Sequence, residues 1–257
     1  MLSKNGFFCK RSFDNDETLH VVNEVTSPGN LLEYFLGYIH PQALTSCLAS
    51  KVLCPKKDSY VLDMCASPGG KTSHMAQLMD NTGLIIANEL YHSRHASLGH
   101  TMERMGILNT VITEYQAQEF PLRNRFDFIL ADVPCSGEGG FRIKTEKSKY
   151  RKTKARLALP ELQKKIILRG FDLLKDDGVM LYSTCTYNPE ENESVVSFLL
   201  ENREAELLPI HAGFDYDPGI TGWGGKTYDR RLERAARLYP HRYDSVGFFM
   251  ARIGRRG

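Results

Sequence analysis

Two cysteines stand in short motifs where a thiol could act as a nucleophile. Cys135 lies in the run Asp-Val-Pro-Cys-Ser-Gly, and Cys185 lies in the run Ser-Thr-Cys-Thr-Tyr-Asn-Pro. Pro134 stiffens the first turn and Gly137 lets the chain leave it, so that Cys135 could face a crevice together with Asp132. Cys185 is predicted at the carboxyl end of a strand and beside a helix start, where a thiolate is electrostatically favoured. A buried cysteine without chemistry is the alternative in such a turn.

A glycine turn in the first third of the chain predicts a ligand site. The stretch from Tyr60 to Thr72 reads Tyr-Val-Leu-Asp-Met-Cys-Ala-Ser-Pro-Gly-Gly-Lys-Thr, which is typical of a buried strand, a turn and a helix start. Gly69 and Gly70 permit backbone angles and close approaches that a side chain would prevent. The helix over about residues 71–79 presents unpaired N–H groups, and ligands of open α/β sheets bind beyond the carboxyl ends of strands. A tight turn without a ligand is the alternative, since neither common nucleotide-binding glycine pattern fits.

An acid follows the second predicted strand. The run Leu-Ile-Ile-Ala-Asn-Glu ends at Glu89, whose carboxylate could accept hydrogen bonds from both hydroxyls of a ribose. A solvated glutamate in a loop is the alternative. A third strand over residues 110–113 leads to Gln116, whose amide oxygen can also accept a hydrogen bond.

The remaining apolar segments complete an alternating pattern. Strands are predicted at 126–131 and 179–183, helices at 41–52, 92–105 and 162–174, and an antiparallel hairpin at 237–251. Pro41 suits the first turn of one helix, and Pro189 suits the first turn of another, whose dipole Glu190 and Glu191 complement. Strands that alternate with helices favour an α/β fold with a mostly parallel, twisted sheet and helices on both faces.

Length and composition favour one domain. The chain has 257 residues, of which 42% are hydrophobic, and we predict an N-terminal extension at 1–30 and one domain at 31–257. Residues 1–11 lack the long apolar run of a signal peptide, so we expect a cytoplasmic protein without a membrane partner. The six cysteines show no Cys-x-x-Cys spacing, which argues against a zinc ribbon or a disulfide framework. A net charge of +2 does not by itself indicate a nucleic-acid partner.

Two further features suggest a ligand only weakly. His92, His95 and His100 share a predicted helix, but no acid or cysteine completes a ligand set at zinc-like spacing, so we expect solvated histidines and no metal. Trp223 lies in a glycine-rich loop and could stack on an unpaired base. Packing in the interior is the favoured interpretation, because tryptophan usually buries most of its area.

A basic run follows the Cys135 motif. Residues 142–156 contain many lysines and arginines and a single acid, Glu146. Such a run is either solvated or, at this place beside a proposed site, a loop that grips phosphates.

Taken together, the motifs resemble those of the Sun (NOP/Sun, RsmB-like) family of S-adenosylmethionine-dependent RNA cytosine-5 methyltransferases. The resemblance spans about Leu31 to Arg252 and includes both cysteine motifs. Its other motifs are Asp-Met-Cys-Ala-Ser-Pro-Gly-Gly-Lys-Thr, a Gln-x-x-x-Ser entry helix at Gln42, and the closing Arg-x-x-Pro-His and Gly-Phe-Phe-x-Ala. It implies a Rossmann-like class I methyltransferase fold.

The resemblance also implies catalytic roles. Cys185 would add to carbon 6 of cytosine, and Cys135 would assist the proton removal that releases the product. Asp132 would hydrogen bond to the base and help place the methionine end of the cofactor. Lys71 would supply positive charge near the ring. DNA cytosine methylases use the cysteine of a Pro-Cys turn as the nucleophile, so the presence of both cysteine motifs favours the RNA class.

The implied cofactor is S-adenosyl-L-methionine, with Glu89 on its ribose. Gln116 stands where the family usually has an aspartate that accepts from the adenine amino group, and a glutamine can accept that bond without a charge. The full set of implied cofactor residues is Cys65, Ala66, Ser67, Pro68, Gly69, Gly70, Lys71, Glu89, Arg94, Gln116 and Asp132.

The implied partner is RNA, either tRNA or rRNA, with the target cytosine unpaired or flipped out of its stack. The chain shows no obvious appended RNA-binding domain, so a protein partner could supply part of the grip. A non-catalytic RNA-binding or assembly scaffold that keeps the fold is the alternative function. This alternative requires that the chain has lost catalytic activity, and the joint presence of Asp132, Cys135 and Cys185 argues against such a loss.

Overall fold

The computed structural model describes residues 2–11, 19–21, 26–140, 158–211 and 213–256, so the basic run at 142–156 lies outside the described residues. The helices are α1 (Leu32–Phe35), α2 (Leu44–Leu53), α3 (Gly70–Leu78), α4 (His92–Arg104), α5 (Leu159–Asp172), α6 (Glu193–Asn202) and α7 (Pro240–Tyr243). The strands are β1 (Cys9–Arg11), β2 (Leu19–Val21), β3 (Tyr60–Asp63), β4 (Leu84–Asn88), β5 (Thr110–Thr113), β6 (Phe126–Asp132), β7 (Leu174–Thr184), β8 (Ala205–Leu207), β9 (Asp217–Pro218), β10 (Gly222–Trp223), β11 (Lys226–Thr227), β12 (Ala236–Leu238) and β13 (Phe248–Arg255).

A nine-stranded mixed sheet organises the described chain. Its order is β5-β4-β3-β6-β7-β13-β12-β9, and β8 pairs with β13. The first five strands in this order are parallel, and β13 and β12 close the sheet in antiparallel pairing. The α/β prediction with a closing antiparallel hairpin is therefore confirmed.

Both faces of the sheet are covered by helices because successive side chains of a strand point to opposite faces. Along β6, Phe128 and Leu130 face a cluster with α2 and α3, whereas Ile129 and Ala131 face a cluster with α5 and α6. The helical members of these clusters include Leu48, Val52, Met75, Met79, Ile166, Phe171, Val195 and Leu199. This arrangement explains why the parallel strands read as continuous apolar runs.

Two helix starts differ from the sequence-based expectation. α2 begins at Leu44 rather than at Pro41, because Ala43 is extended with a ψ of 138° and Gln42 instead donates to the Gly70 carbonyl. α6 begins at Glu193 rather than near Pro189, because the preceding Asn192 side chain is bonded to the strand end of β7.

Three smaller features lie outside the parallel core. β1 and β2 pair with each other within the predicted N-terminal extension, and the boundary at residue 30 stays a prediction. β10 and β11 form a second short hairpin, where the expectation of a packed Trp223 is wrong because this side chain is 57% exposed. Among the described residues, none of the helices has the length and apolar character needed to cross a membrane.

Candidate active site

The two cysteines of the sequence motifs meet at the carboxyl edge of the sheet. Cys135 follows β6 and Cys185 follows β7, and their Sγ atoms lie 3.2 Å apart. The hydrogen bond from the Cys135 thiol lowers the pKa of Cys185, and the Lys71 ammonium adds to this effect. The same hydrogen bond, together with burial, raises the pKa of Cys135 well above its usual range. The geometry thus favours a Cys185 thiolate that accepts a hydrogen bond from a protonated Cys135.

Close backbone contacts hold the two cysteine loops together. The Gly139 N–H donates to the Cys185 carbonyl over 2.9 Å, and the Gly247 N–H donates to the Gly139 carbonyl over 3.0 Å. Gly139 has no room for a Cβ, because the Gly247 and Cys185 carbonyls lie against it. A glycine is therefore needed where the loop after Cys135 crosses the loop after Cys185.

A half-buried ion pair lies beside the thiols. Lys71 Nζ lies 2.8 Å from Asp132 Oδ2, and the Ser183 hydroxyl donates to Asp132 Oδ1 over 2.7 Å. Burial alone would lower the pKa of Lys71, but the neighbouring Asp132 and Asp63 carboxylates more than offset this and raise it. Lys71 is therefore a permanent cation in the first turn of α3, 5.6 Å from the centre of the Phe248 ring.

The glycine turn joins β3 to α3 at the same edge. Gly69 has a φ of 100°, which favours glycine, and its N–H donates to the Ala66 carbonyl over 2.8 Å. Ala66, Gly69 and Gly70 are buried, Cys65 and Ser67 are half-buried and Pro68 is exposed. Burial raises the pKa of Asp63 to about 7, although the Thr72 hydroxyl donates to its carboxylate.

The acid after β4 is held next to this turn. The Glu89 carboxylate is 4% exposed and its Oε2 lies 3.1 Å from Arg94 Nη1. The Tyr91 N–H donates to Glu89 Oε1 over 2.9 Å, and Arg94 Nη2 donates to the Ser67 carbonyl over 2.8 Å. The structure thus brings Glu89 and Arg94 together with the turn, and α4 supplies the arginine that bridges them.

Gln116 lies beyond the end of β5 and is exposed. Its amide oxygen accepts from Gln118 Nε2 over 2.7 Å, and its own Nε2 donates to Glu119 over 3.2 Å. Within the described part of the chain, the hydrogen bonds of the Gln116 side chain therefore go to neighbours in the same turn. A contact with adenine stays a prediction.

One residue was missed as part of the site. Glu191 was interpreted from the sequence as an acid that complements a helix dipole, yet it is buried against the Cys135 loop. Its Oε2 accepts from the Ser136 N–H over 2.9 Å and from Gln163 Nε2 over 3.0 Å. Its Oε1 accepts from Asn188 Nδ2 over 3.1 Å. The only sequence signal was the place of Glu191 shortly after Cys185.

The histidines of α4 are not all solvated. His92 and His100 are exposed, but His95 is half-buried, and its Nε2 lies 2.8 Å from the Glu89 carbonyl oxygen. Glu114, which sequence spacing did not connect to them, has its Oε2 3.1 Å from His92 Nδ1 and 3.7 Å from His95 Nδ1. The expectation that no acid completes a ligand set with these histidines is therefore wrong, because His92, His95 and Glu114 form a cluster that could hold a metal ion. The absence of a metal stays a prediction.

The chain is similar to known proteins over most of its length. Residues 50–254 match the family model described as 16S rRNA methyltransferase RsmB/F. A human 28S rRNA (cytosine(4447)-C(5))-methyltransferase is 37% identical over 230 residues, which cover 86% of this chain and 28% of that protein. A tRNA (cytosine(49)-C(5))-methyltransferase of Pyrococcus abyssi is 37% identical over 226 residues, which cover 88% of this chain and 73% of that protein.

A solved structure extends the comparison to the fold. The crystal structure of NSun6 from Pyrococcus horikoshii with SFG is similar with a TM-score of 0.76 and 31% identity, covering 93% of this chain and 59% of that one. The chain therefore spans from about a quarter to about three quarters of the length of these relatives. The match over most of its length shows that the chain belongs to the RsmB/F methyltransferase family, the NOP/Sun group whose motifs it carries.

Proposed function

We propose that the protein is an RNA cytosine-5 methyltransferase that uses S-adenosyl-L-methionine. The observation that carries this proposal is the pair of cysteine sulfurs 3.2 Å apart at the carboxyl edge of the sheet. Carbon 5 of cytosine is a weak nucleophile, so a thiol must first activate the ring by adding to it. The names of the relatives, which methylate carbon 5 of cytosine in rRNA or tRNA, support the same reaction.

The residues around the glycine turn fit the cofactor. A Cβ on Gly70 would lie 2.9 Å from His40 Nε2, and a Cβ on Gly69 would lie 2.8 Å from Met102. The turn therefore needs both glycines, because any side chain there would collide with His40 or Met102. With glycines, the backbone can pass close to these neighbours and present the N–H groups of α3. The buried Glu89 carboxylate beside the turn suits a ribose, because it can accept hydrogen bonds from the ribose hydroxyls. The proposed holding residues are Cys65, Ala66, Ser67, Pro68, Gly69, Gly70, Lys71, Glu89, Arg94, Gln116 and Asp132.

Once bound, the cofactor would supply an electrophilic methyl group, and the remaining steps belong to the protein. The Cys185 thiolate forms a bond to carbon 6 of cytosine, and the ring electron pair moves to carbon 5. Asp132 would bind the polar edge of the base, and Lys71 would stabilise the negative charge that builds up on the ring. Both charges are already paired at 2.8 Å, so they need little reorganisation during the reaction.

The second thiol can then change its role. When Cys185 is bonded to carbon it no longer accepts the hydrogen bond that is the main cause of the raised pKa of Cys135. Cys135 is half-buried, so it can release its proton to solvent and become a thiolate. This thiolate takes the proton from carbon 5, the ring double bond forms again, and the bond between carbon 6 and the Cys185 sulfur breaks. The cysteines return to one thiol and one thiolate.

The substrate class is RNA, tRNA or rRNA, with the target cytosine outside a duplex stack. The cytoplasmic location, the absence of a metal and membrane, and a protein partner that helps to hold the RNA all stay predictions.

The direct test is methyl transfer in vitro. The purified chain, radiolabelled S-adenosylmethionine and total tRNA or rRNA from a strain that lacks the gene should yield 5-methylcytosine, identified by mass spectrometry of the nucleosides. RNA from the wild-type strain serves as the control, because its sites are already methylated. A protein that binds the RNA and leaves it unmethylated would support the scaffold alternative instead.

The two cysteines should behave differently when each is removed. Cys185→Ala should abolish both methylation and any covalent RNA adduct, because no sulfur can add to carbon 6. Cys135→Ala should let the adduct form and persist, because methyl transfer precedes the step that Cys135 assists. The adduct is measured as a protein–RNA band that survives denaturation and disappears with nuclease. The opposite pattern would exchange the roles, and two active variants without an adduct would contradict the thiolate mechanism.

A further inference from the structure

The single tryptophan of the chain, Trp223, lies on the surface in a hairpin that contacts the catalytic loop, the loop that follows Cys185. Trp223 is 57% exposed, although indole is a large apolar ring that is usually mostly buried. The rings of Tyr187 and Tyr239, by contrast, stack on each other with planes 19° apart. Trp223 therefore offers an open aromatic ring to a ligand.

The tryptophan stands at a defined position of the β10–β11 hairpin. Trp223 is paired with Lys226 across the hairpin, and the turn residues Gly224 and Gly225 have φ values of 57° and 80°. Two consecutive positive φ angles are those of a type I′ hairpin turn, which glycine adopts without steric cost. Directly opposed residues of a hairpin point to the same face, so the indole shares a face with the Lys226 side chain.

That face is turned towards the loop that follows Cys185. Lys226 Nζ lies 2.9 and 3.0 Å from the two carboxylate oxygens of Glu190. The Ile220 N–H, just before the hairpin, donates to Glu193 Oε1 over 3.1 Å. Glu193 in turn forms a buried ion pair with Arg237 at 2.6 Å. These contacts hold the hairpin, and with it the indole, beside the catalytic loop.

The size of this surface suits a nucleobase better than a protein. The other residues of the hairpin are three glycines, a lysine and a threonine. The indole is therefore the only large apolar group in residues 222–227. A stable protein interface buries about 800 Å² on each partner, which one ring cannot provide. A single nucleobase needs only the area of one aromatic ring for stacking, and every base has a face that can stack.

We propose that Trp223 is a stacking site for an unpaired nucleobase of the RNA next to the target cytosine. This inference rests on the proposed function, because an RNA whose target base is turned out loses stacking partners on either side of it. The indole would replace one of those partners and so hold the strand over the catalytic loop.

The test uses the fluorescence of the only tryptophan, which reports on this residue alone. A short single-stranded oligocytidylate is titrated into the Cys185→Ala protein, which cannot turn over. We expect quenching of the Trp223 emission over the same concentrations at which the anisotropy of a labelled oligonucleotide shows binding. Trp223→Ala should weaken binding about 5- to 100-fold and Trp223→Phe much less. Leu108→Ala, which removes an 86% exposed apolar side chain elsewhere, should leave binding unchanged.

Three outcomes would overturn the inference. The oligonucleotide fails to bind, it binds without changing the Trp223 emission, or it binds the Cys185→Ala protein equally well with and without the additional Trp223→Ala substitution. These outcomes are distinguishable from a failure of the proposed function. Methylation by a protein whose Trp223→Ala variant binds RNA normally would overturn only the stacking site. Quenching by RNA without any 5-methylcytosine product from the wild-type chain would support the stacking site and overturn only the proposed function.

Discussion

At the scale of single residues, two chemically identical thiols acquire opposite properties. Their Sγ atoms lie 3.2 Å apart, and the hydrogen bond between them lowers the pKa of Cys185 and raises the pKa of Cys135, so the charge is favoured on Cys185. The nearby Lys71 ammonium, fixed by Asp132, further favours the charge on Cys185. The order of reaction proposed above follows from this asymmetry, because only the thiolate is nucleophilic.

The pH dependence of alkylation should reveal this asymmetry. Because the pKa of Cys185 is lowered from its ordinary 9.0, its reaction with iodoacetamide should reach half its maximal rate at a pH below 9.0. Cys135→Ala removes the donor that stabilises the thiolate, so the midpoint should move to higher pH. Lys71→Met should move it in the same direction, since it removes a positive charge. The rates are followed at each cysteine by peptide mass spectrometry.

Cys54→Ser is the matched control for these variants, because Cys54 is the exposed cysteine among those described. Its removal should leave the Cys185 midpoint where it is. A midpoint that stays unchanged in Cys135→Ala would show that the hydrogen bond between the thiols does not stabilise the Cys185 thiolate.

At the scale of elements, the loops after β6 and β7 act as one unit. The Glu191 carboxylate accepts a hydrogen bond from the Ser136 N–H in the first loop and another from the Asn188 side chain in the second. The Gln163 side chain of α5 donates to the same carboxylate. The Tyr182 hydroxyl of β7 donates to the Glu191 carbonyl over 2.6 Å. A buried carboxylate with several donors orders its surroundings strongly when every donor is satisfied.

Glu191→Gln should therefore disturb both the loop after β6 and the loop after β7. The new amide places an N–H₂ group against at least one donor, which leaves a buried hydrogen bond unmade at a cost of about 1–3 kcal/mol. We expect unfolding by urea to show a loss of that size. The rate of adduct formation should fall about 10- to 100-fold, because the two thiols lose their alignment.

Glu201→Gln is the matched control, since it makes the same substitution at an exposed position of α6. It should change neither the urea midpoint nor the adduct rate. If Glu191→Gln loses stability but forms the adduct at the wild-type rate, Glu191 supports the fold alone.

At the scale of the whole molecule, the parallel sheet gathers groups that are distant in the chain. The residues after β3, β4, β6 and β7 meet at one edge because parallel strands present their carboxyl ends together. The antiparallel β13 adds Phe248, whose ring lies against the Lys71 ammonium. The net charge is only +2, so attraction for a polyanion has to come from local clusters rather than from the whole surface.

The basic run at 142–156 should provide much of the RNA affinity that is independent of sequence. Neutralising Lys147, Lys149, Arg151 and Lys152 to glutamine should flatten the salt dependence of RNA binding. Each lost phosphate contact should lower the slope of log affinity against log salt by about 0.7–0.9. The measurement is anisotropy of a labelled RNA over a range of salt concentrations.

Lys56→Gln with Lys57→Gln is the control, because these lysines precede β3 and lie near the opposite edge of the sheet. It should leave the slope unchanged. An unchanged slope after neutralising the basic run would show that this run is only solvated.

The class of fold, the glycine turn, the acid after β4 and the motifs of the family could all be predicted from the amino-acid sequence. These features depend on neighbours in the chain, because strand and helix periodicity, turn chemistry and short motifs are local. Only the tertiary structure revealed the contact between the two cysteine sulfurs, the role of Glu191, the approach of Glu114 to two histidines and the exposure of Trp223. Each of these depends on contacts between residues far apart in sequence, and both burial and hydrogen-bond partners are set only when the sheet brings those residues together.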